Sequence, residues 1–139
     1  MRIDDIRPLA PLVRVADMNL PHWRKKFAVA FAGLFHTCRT QSSMRVHCTC
    51  GGLVVVLAAM TGVSPKEWAV LLLAIGGVIS LELVNTAIVA IVDLVSPQHS
   101  ELARTAKDTS AAAVLVAAIT AIGVGAWIFV PHWWAVLRS

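Results

Sequence analysis

Three stretches of the chain are apolar almost without interruption, at about residues 46–62, 67–93 and 110–130. Each is close to the roughly 20 residues that a helix needs to cross bilayer hydrocarbon. In the second and third, apolar residues fall on all sides of a helix instead of along one stripe, as in spans that face lipid. Gly62 and the Ser64-Pro65 pair break the chain between the first two. The run "SPQHSELARTAKD", Ser96 to Asp108, reads as a polar connection before the third. Upstream, Phe27, Phe31, Leu34 and Phe35 recur at helical spacing behind Arg24, Lys25 and Lys26. This predicts an amphipathic helix from Trp23 to about Arg39, lying on a lipid surface or packed on its own protein. Residues 1–21 carry Pro8, Pro11 and Pro21 among mixed charges and read as a flexible extension to a single domain over 22–139.

Composition points the same way. Of 139 residues 58% are hydrophobic and only 14% charged, outside the range of soluble domains. The expected class is an all-α integral membrane protein with three spans. The net charge of +4 does not imply nucleic acid, because eight of the twelve Lys and Arg residues precede residue 46, beside the first span. That bias, with Lys66 alone in the first connection and Arg104 and Lys107 in the second, puts the N-terminus and the 94–109 loop in the cytoplasm. Three cysteines are an odd number and argue against a disulfide framework. The "HCTC" of 47–50 lacks the two-residue spacer and the second ligand pair of a zinc site.

The chemistry lies in "SLELVNTAIVAIVD", residues 80–93. At about 100° per residue Glu82, Asn85, Thr86, Val89 and Asp93 share one stripe, about 16 Å long. A carboxylate at mid-span costs on the order of 3 kcal/mol to insert, so such residues face protein or water and carry function more often than they serve as glue. Glu101, Arg104, Lys107 and Asp108 follow on the same side. Basic groups beside carboxylates suit a phosphate with its counterion. No Walker-type glycine loop and no protein-kinase signature accompanies them. A small proton-coupled exporter would also use a membrane glutamate, but needs four spans with the glutamate in the first.

The segment "LELVNTAIVAIVDLVSPQHSELARTAKDTSAAAVLVAA", with Gly33, Arg39-Thr40, "MRVH" at 44–47 and Glu67-Trp68, resembles the prokaryotic diacylglycerol kinase and undecaprenol kinase family over about residues 23–131. "RVH" and "LVSP" are similar to its undecaprenol kinase branch. The resemblance implies a homotrimer of three-span subunits in the bacterial inner membrane, moving the ATP γ-phosphate to a lipid alcohol, undecaprenol or diacylglycerol, at the cytoplasmic interface. By the same resemblance Glu82 is the general base, supported by Asn85, Thr86 and Asp93, while Gln98, His99, Ser100, Lys107 and Asp108 meet the nucleotide. The family holds Mg²⁺ with two glutamates; at those positions this chain has Gln41 and Val89. Valine offers no ligand and magnesium prefers carboxylate oxygen. The resemblance therefore leaves two readings, an active lipid kinase and a weakened or inactive homologue that binds lipid or partner subunits.

Overall fold

A computed structural model describes residues 21–96 and 100–138. Among these every regular element is helical: α1 (His22–Thr40), α2 (Ser42–Thr61), α3 (Pro65–Val95) and α4 (Glu101–Leu137). The expected flexible extension, apart from Pro21, lies outside the described residues. Helices α2, α3 and α4 are each long and apolar enough to cross a membrane. With 31 and 37 residues, α3 and α4 outrun a hydrocarbon layer of about 30 Å, since 1.5 Å per residue makes them about 46 and 55 Å long. Both therefore reach beyond it.

The chain divides into two units, Met1–Ser42 and Ser43–Ser139. In the first, α1 carries Trp23, Phe27, Phe31 and Phe35 four residues apart, and all four are more than half exposed. Such spacing stacks them on one face. The Arg39 guanidinium lies 4.3 Å from the centre of the Phe35 ring, a cation–π distance.

In the second unit the connection between α2 and α3 is short because its residues suit a reversal. Gly62 adopts φ +66°, a left-handed conformation open to glycine. Ser64 then caps α3: its Oγ accepts from the Glu67 N–H, while its own N–H donates to Glu67 Oε2 at 2.7 Å, and Pro65 opens the helix. At this end Ala58, Val63, Leu71, Ile128 and Phe129 bury together, with Val54, Leu57, Trp68 and Val124 against them. Lipid is as apolar as these side chains, so close packing and not water exclusion holds the cluster. Leu73, Ile122 and Trp127 are each over 70% exposed, as lipid-facing positions should be.

The structure corrects the sequence at the second connection. Only residues 96–100 separate the helices, and the segment from Glu101 to Asp108 is the start of α4. Ser100 Oγ accepts from the Ala103 N–H at 3.1 Å, Thr105 Oγ1 donates to the Glu101 carbonyl at 2.8 Å, and Arg104 lies 3.6 Å from Asp108 one turn on. Apolar periodicity stops at residue 110 because these turns need no apolar face, whereas capping and i to i+4 pairing continue the helix. Nor does Pro131 end α4. His132 Nδ1 donates to the Ile128 carbonyl at 2.8 Å just past it, and the helix runs on to Leu137. Of the glycine pairs 51–52 and 76–77, only Gly51 marks a close approach within the chain, since a Cβ there would lie 3.0 Å from Ile75 Cγ2.

Candidate functional site

The polar stripe of α3 runs from buried to exposed. Glu82 is 2% exposed, Asn85, Thr86 and Val89 are half-buried, and Asp93 is exposed. Each of its three hydrogen-bonding steps has a partner from another helix. The hydroxyl of Ser43, in the first turn of α2, donates to Glu82 Oε1. About one turn further along α3, the Ser110 hydroxyl of α4 lies 2.7 Å from Asn85 Oδ1 and 2.9 Å from the Lys107 carbonyl. At the exposed end the Lys107 ammonium pairs with the Asp93 carboxylate. Thr86 serves its own helix, its Oγ1 donating to the Glu82 carbonyl at 2.9 Å.

This gradient sorts the interactions by strength. Arg104 with Asp108 is a pair whose side chains are both over 70% exposed, and Lys107 with Asp93 is only partly shielded. Pairs of this kind are worth about 0–1 kcal/mol, so an arriving phosphate could take over their basic members at small cost. Ser43 with Glu82 and Ser110 with Asn85 are different, because a buried polar group that loses its partner keeps the desolvation cost. Among the described residues no buried side-chain nitrogen or oxygen lacks a partner.

Glu82, Asn85 and Asp93 thus lie along one face of α3, with Lys107 meeting it at the Asp93 end. Asp108 turns to Arg104 instead, and Ser100 stands exposed at the cap of α4. Gln98 and His99 lie outside the described residues. Ser43 and Ser110 were not legible as members of the site. Ser43 precedes the first apolar run and Ser110 opens the third, and a single serine near a span end carries no pattern.

An apolar groove of about 590 Å³ follows α2, α3 and α4, lined by Val54, Ile75, Ala118, Gly125 and Phe129. Its polar end holds His47, one turn from Ser43, and Val78, one turn from Glu82. The groove is lined mostly by apolar side chains and stops about one turn short of Glu82.

The residues present do not fit a divalent cation held as the resemblance implies. Val89 has no donor atom, Glu82 is engaged by Ser43, and Asp93 already faces an ammonium. Among the described residues no three of His, Cys, Asp and Glu gather closely enough to hold a metal.

Comparison with known proteins finds relatives over most of the described helices. The family model for prokaryotic diacylglycerol kinase matches residues 28–129. An undecaprenol kinase of Bacillus subtilis is 39% identical over 113 residues, covering 81% of this chain and 92% of the relative. A diacylglycerol kinase of Synechocystis is 38% identical over 122 residues, covering 87% of this chain and 70% of the relative. The diacylglycerol kinase of Escherichia coli K12 is 37% identical over 70 residues, half of this chain and 57% of the relative.

Proposed function

The chain belongs to the prokaryotic diacylglycerol kinase family, and from that membership we propose that it is a lipid kinase, transferring the γ-phosphate of ATP to a membrane alcohol, undecaprenol or diacylglycerol, at the cytoplasmic face of the bacterial inner membrane. The observation that carries the proposal is a glutamate with 2% exposure, held by hydrogen bonding in an apolar stretch of α3, one turn from a groove suited to an alkyl chain. An ionisable group at such a depth is expensive unless it is used.

In this reading the lipid tail lies in the groove with its hydroxyl toward Glu82, and the nucleotide approaches from water at the Asp93 and Lys107 end. Lys107 exchanges Asp93 for phosphate oxygens, with Ser100 and Asp108 nearby and Gln98 and His99 completing the nucleotide side. Asn85, tied to Ser110, keeps α3 and α4 in register around the reaction. Glu82 accepts the proton of the attacking hydroxyl. Phosphoryl transfer needs chiefly alignment and neutralisation of charge, which a site this small can supply. The basic N-terminal segment faces the cytoplasm by the charge bias, α1 rests on the inner leaflet through Trp23, Phe27, Phe31 and Phe35, and the family implies a homotrimer.

The test is phosphate transfer from labelled ATP in mixed micelles, with undecaprenol and diacylglycerol side by side. Transfer to one of them, lost by at least about 100-fold in Glu82→Gln, is expected, because a general base contributes about 10² to 10⁴. No transfer to any long-chain alcohol, with Mg²⁺, Mn²⁺ or Zn²⁺ supplied, rejects the proposal. Gln41 and Val89 favour a second reading, a weakened homologue that binds lipid or partner subunits. For that reading, Gln41→Glu combined with Val89→Glu creates activity that the natural chain lacks; equal rates in both dispose of it.

A further inference from the structure

Glu82 and its partner differ sharply in access. The carboxylate is 2% exposed, whereas Ser43, whose hydroxyl donates to it, is exposed. A hydroxyl both donates and accepts, so one side of Ser43 can serve Glu82 while its lone pairs face whatever lies outside. Ser43 also stands one turn from His47 at the polar end of the groove, where the reading above has the lipid headgroup. A substrate hydroxyl arriving there meets Ser43 before it can meet the carboxylate.

We propose that Ser43 is the proton relay of this site: its oxygen takes the proton of the membrane alcohol while its own proton passes to Glu82 Oε1. The alcohol oxygen forms its bond to the γ-phosphorus of the nucleoside triphosphate as the bond to the nucleoside diphosphate breaks. Serine ends as it began, with one hydroxyl proton, and Glu82 is left as the neutral acid. After product leaves, that proton returns to water by the same hydroxyl. Nothing else need change in charge, since the leaving diphosphate carries away the electron pair of the broken bond. A carboxylate buried against lipid is thereby reached without opening the helices.

This inference rests on the lipid kinase reading, so its test has two arms. In the first, Ser43→Ala lowers kcat by roughly tenfold or more, a modest share of a general base's usual contribution, while KM for ATP stays within about twofold. Ser43→Thr, which keeps a hydroxyl, recovers most of the loss. Equal kcat in the natural chain and Ser43→Ala overturns the relay, and so does a Thr variant as slow as the Ala variant. In the second arm, native membranes are treated with dicyclohexylcarbodiimide and modification of Glu82 is followed by mass spectrometry. The Ala variant is expected to be labelled at least threefold faster than the natural chain; equal labelling means that the hydroxyl does not cover the carboxylate and overturns the inference. A natural chain that transfers no phosphate overturns the kinase reading and the relay step together, and the labelling arm still decides whether Ser43 guards Glu82.

Discussion

Serine does more in this protein than its numbers suggest. Glu82 and Asn85 bring polar groups into an apolar span, and each is met by one serine hydroxyl from a different helix, Ser43 of α2 and Ser110 of α4. Serine is small enough for the backbones to stay close and polar enough to satisfy a buried oxygen. Removing Ser110 therefore costs more than its size implies. Ser110→Ala is expected to lower stability by roughly 0.6 kcal/mol, the measured average for hydrogen bonds between membrane helices, and by no more than about 1.7 kcal/mol, the largest measured. Titration with a denaturing detergent measures it. Asp93→Asn, by contrast, cuts a partly exposed ion pair and is expected to cost at most about 1 kcal/mol, less as salt is raised. A salt-independent loss larger than that would mean the pair is better shielded than its exposure indicates.

Among the helices, the close approach of α2 to α3 depends on Gly51. A Cβ there would lie 3.0 Å from Ile75 Cγ2, whereas at neighbouring Gly52 it would meet nothing within 4 Å. Gly51→Val is accordingly expected to destabilise by about 1–3 kcal/mol through overpacking, and Gly52→Val to stay within about 0.5 kcal/mol. If the two behave alike in the same detergent titration, the approach is not the one described. The helix ends follow the same local logic. Ser64 and Glu67 close a reciprocal capping box at the start of α3, and Ser64→Ala is expected to cost about 1 kcal/mol.

At the scale of the molecule, three helices among the described residues can cross a membrane, and their ends are chemically unlike. At one, Ala58, Leu71 and Phe129 pack next to the capping Glu67, which lies 4.0 Å from His132; at the other, Glu82, Asn85 and Asp93 meet partners from neighbouring helices. An odd number of spans and a basic N-terminal segment predict termini on opposite sides, with the N-terminus in the cytoplasm. Reporter fusions at each terminus check this. Signals from the same side would contradict the three-span reading and revive a four-span exporter.

Apolar runs fixed the number of spans because hydrocarbon thickness sets a length that any single helix must meet, whatever its neighbours. The stripe from Glu82 to Asp93 was legible for a related reason: residues on one helix share a face by the turn per residue alone. Helical residues 101–108 escaped notice because apolar periodicity is silent where a helix leaves the lipid, and caps rather than burial carry it on. Ser43 and Ser110 were beyond reach of the chain's own pattern. Their partners lie 39 and 25 residues away, and which hydroxyl faces which oxygen is decided only when three helices come together. So too is the burial of Glu82: sequence gives its position along α3, but only the assembled helices enclose it.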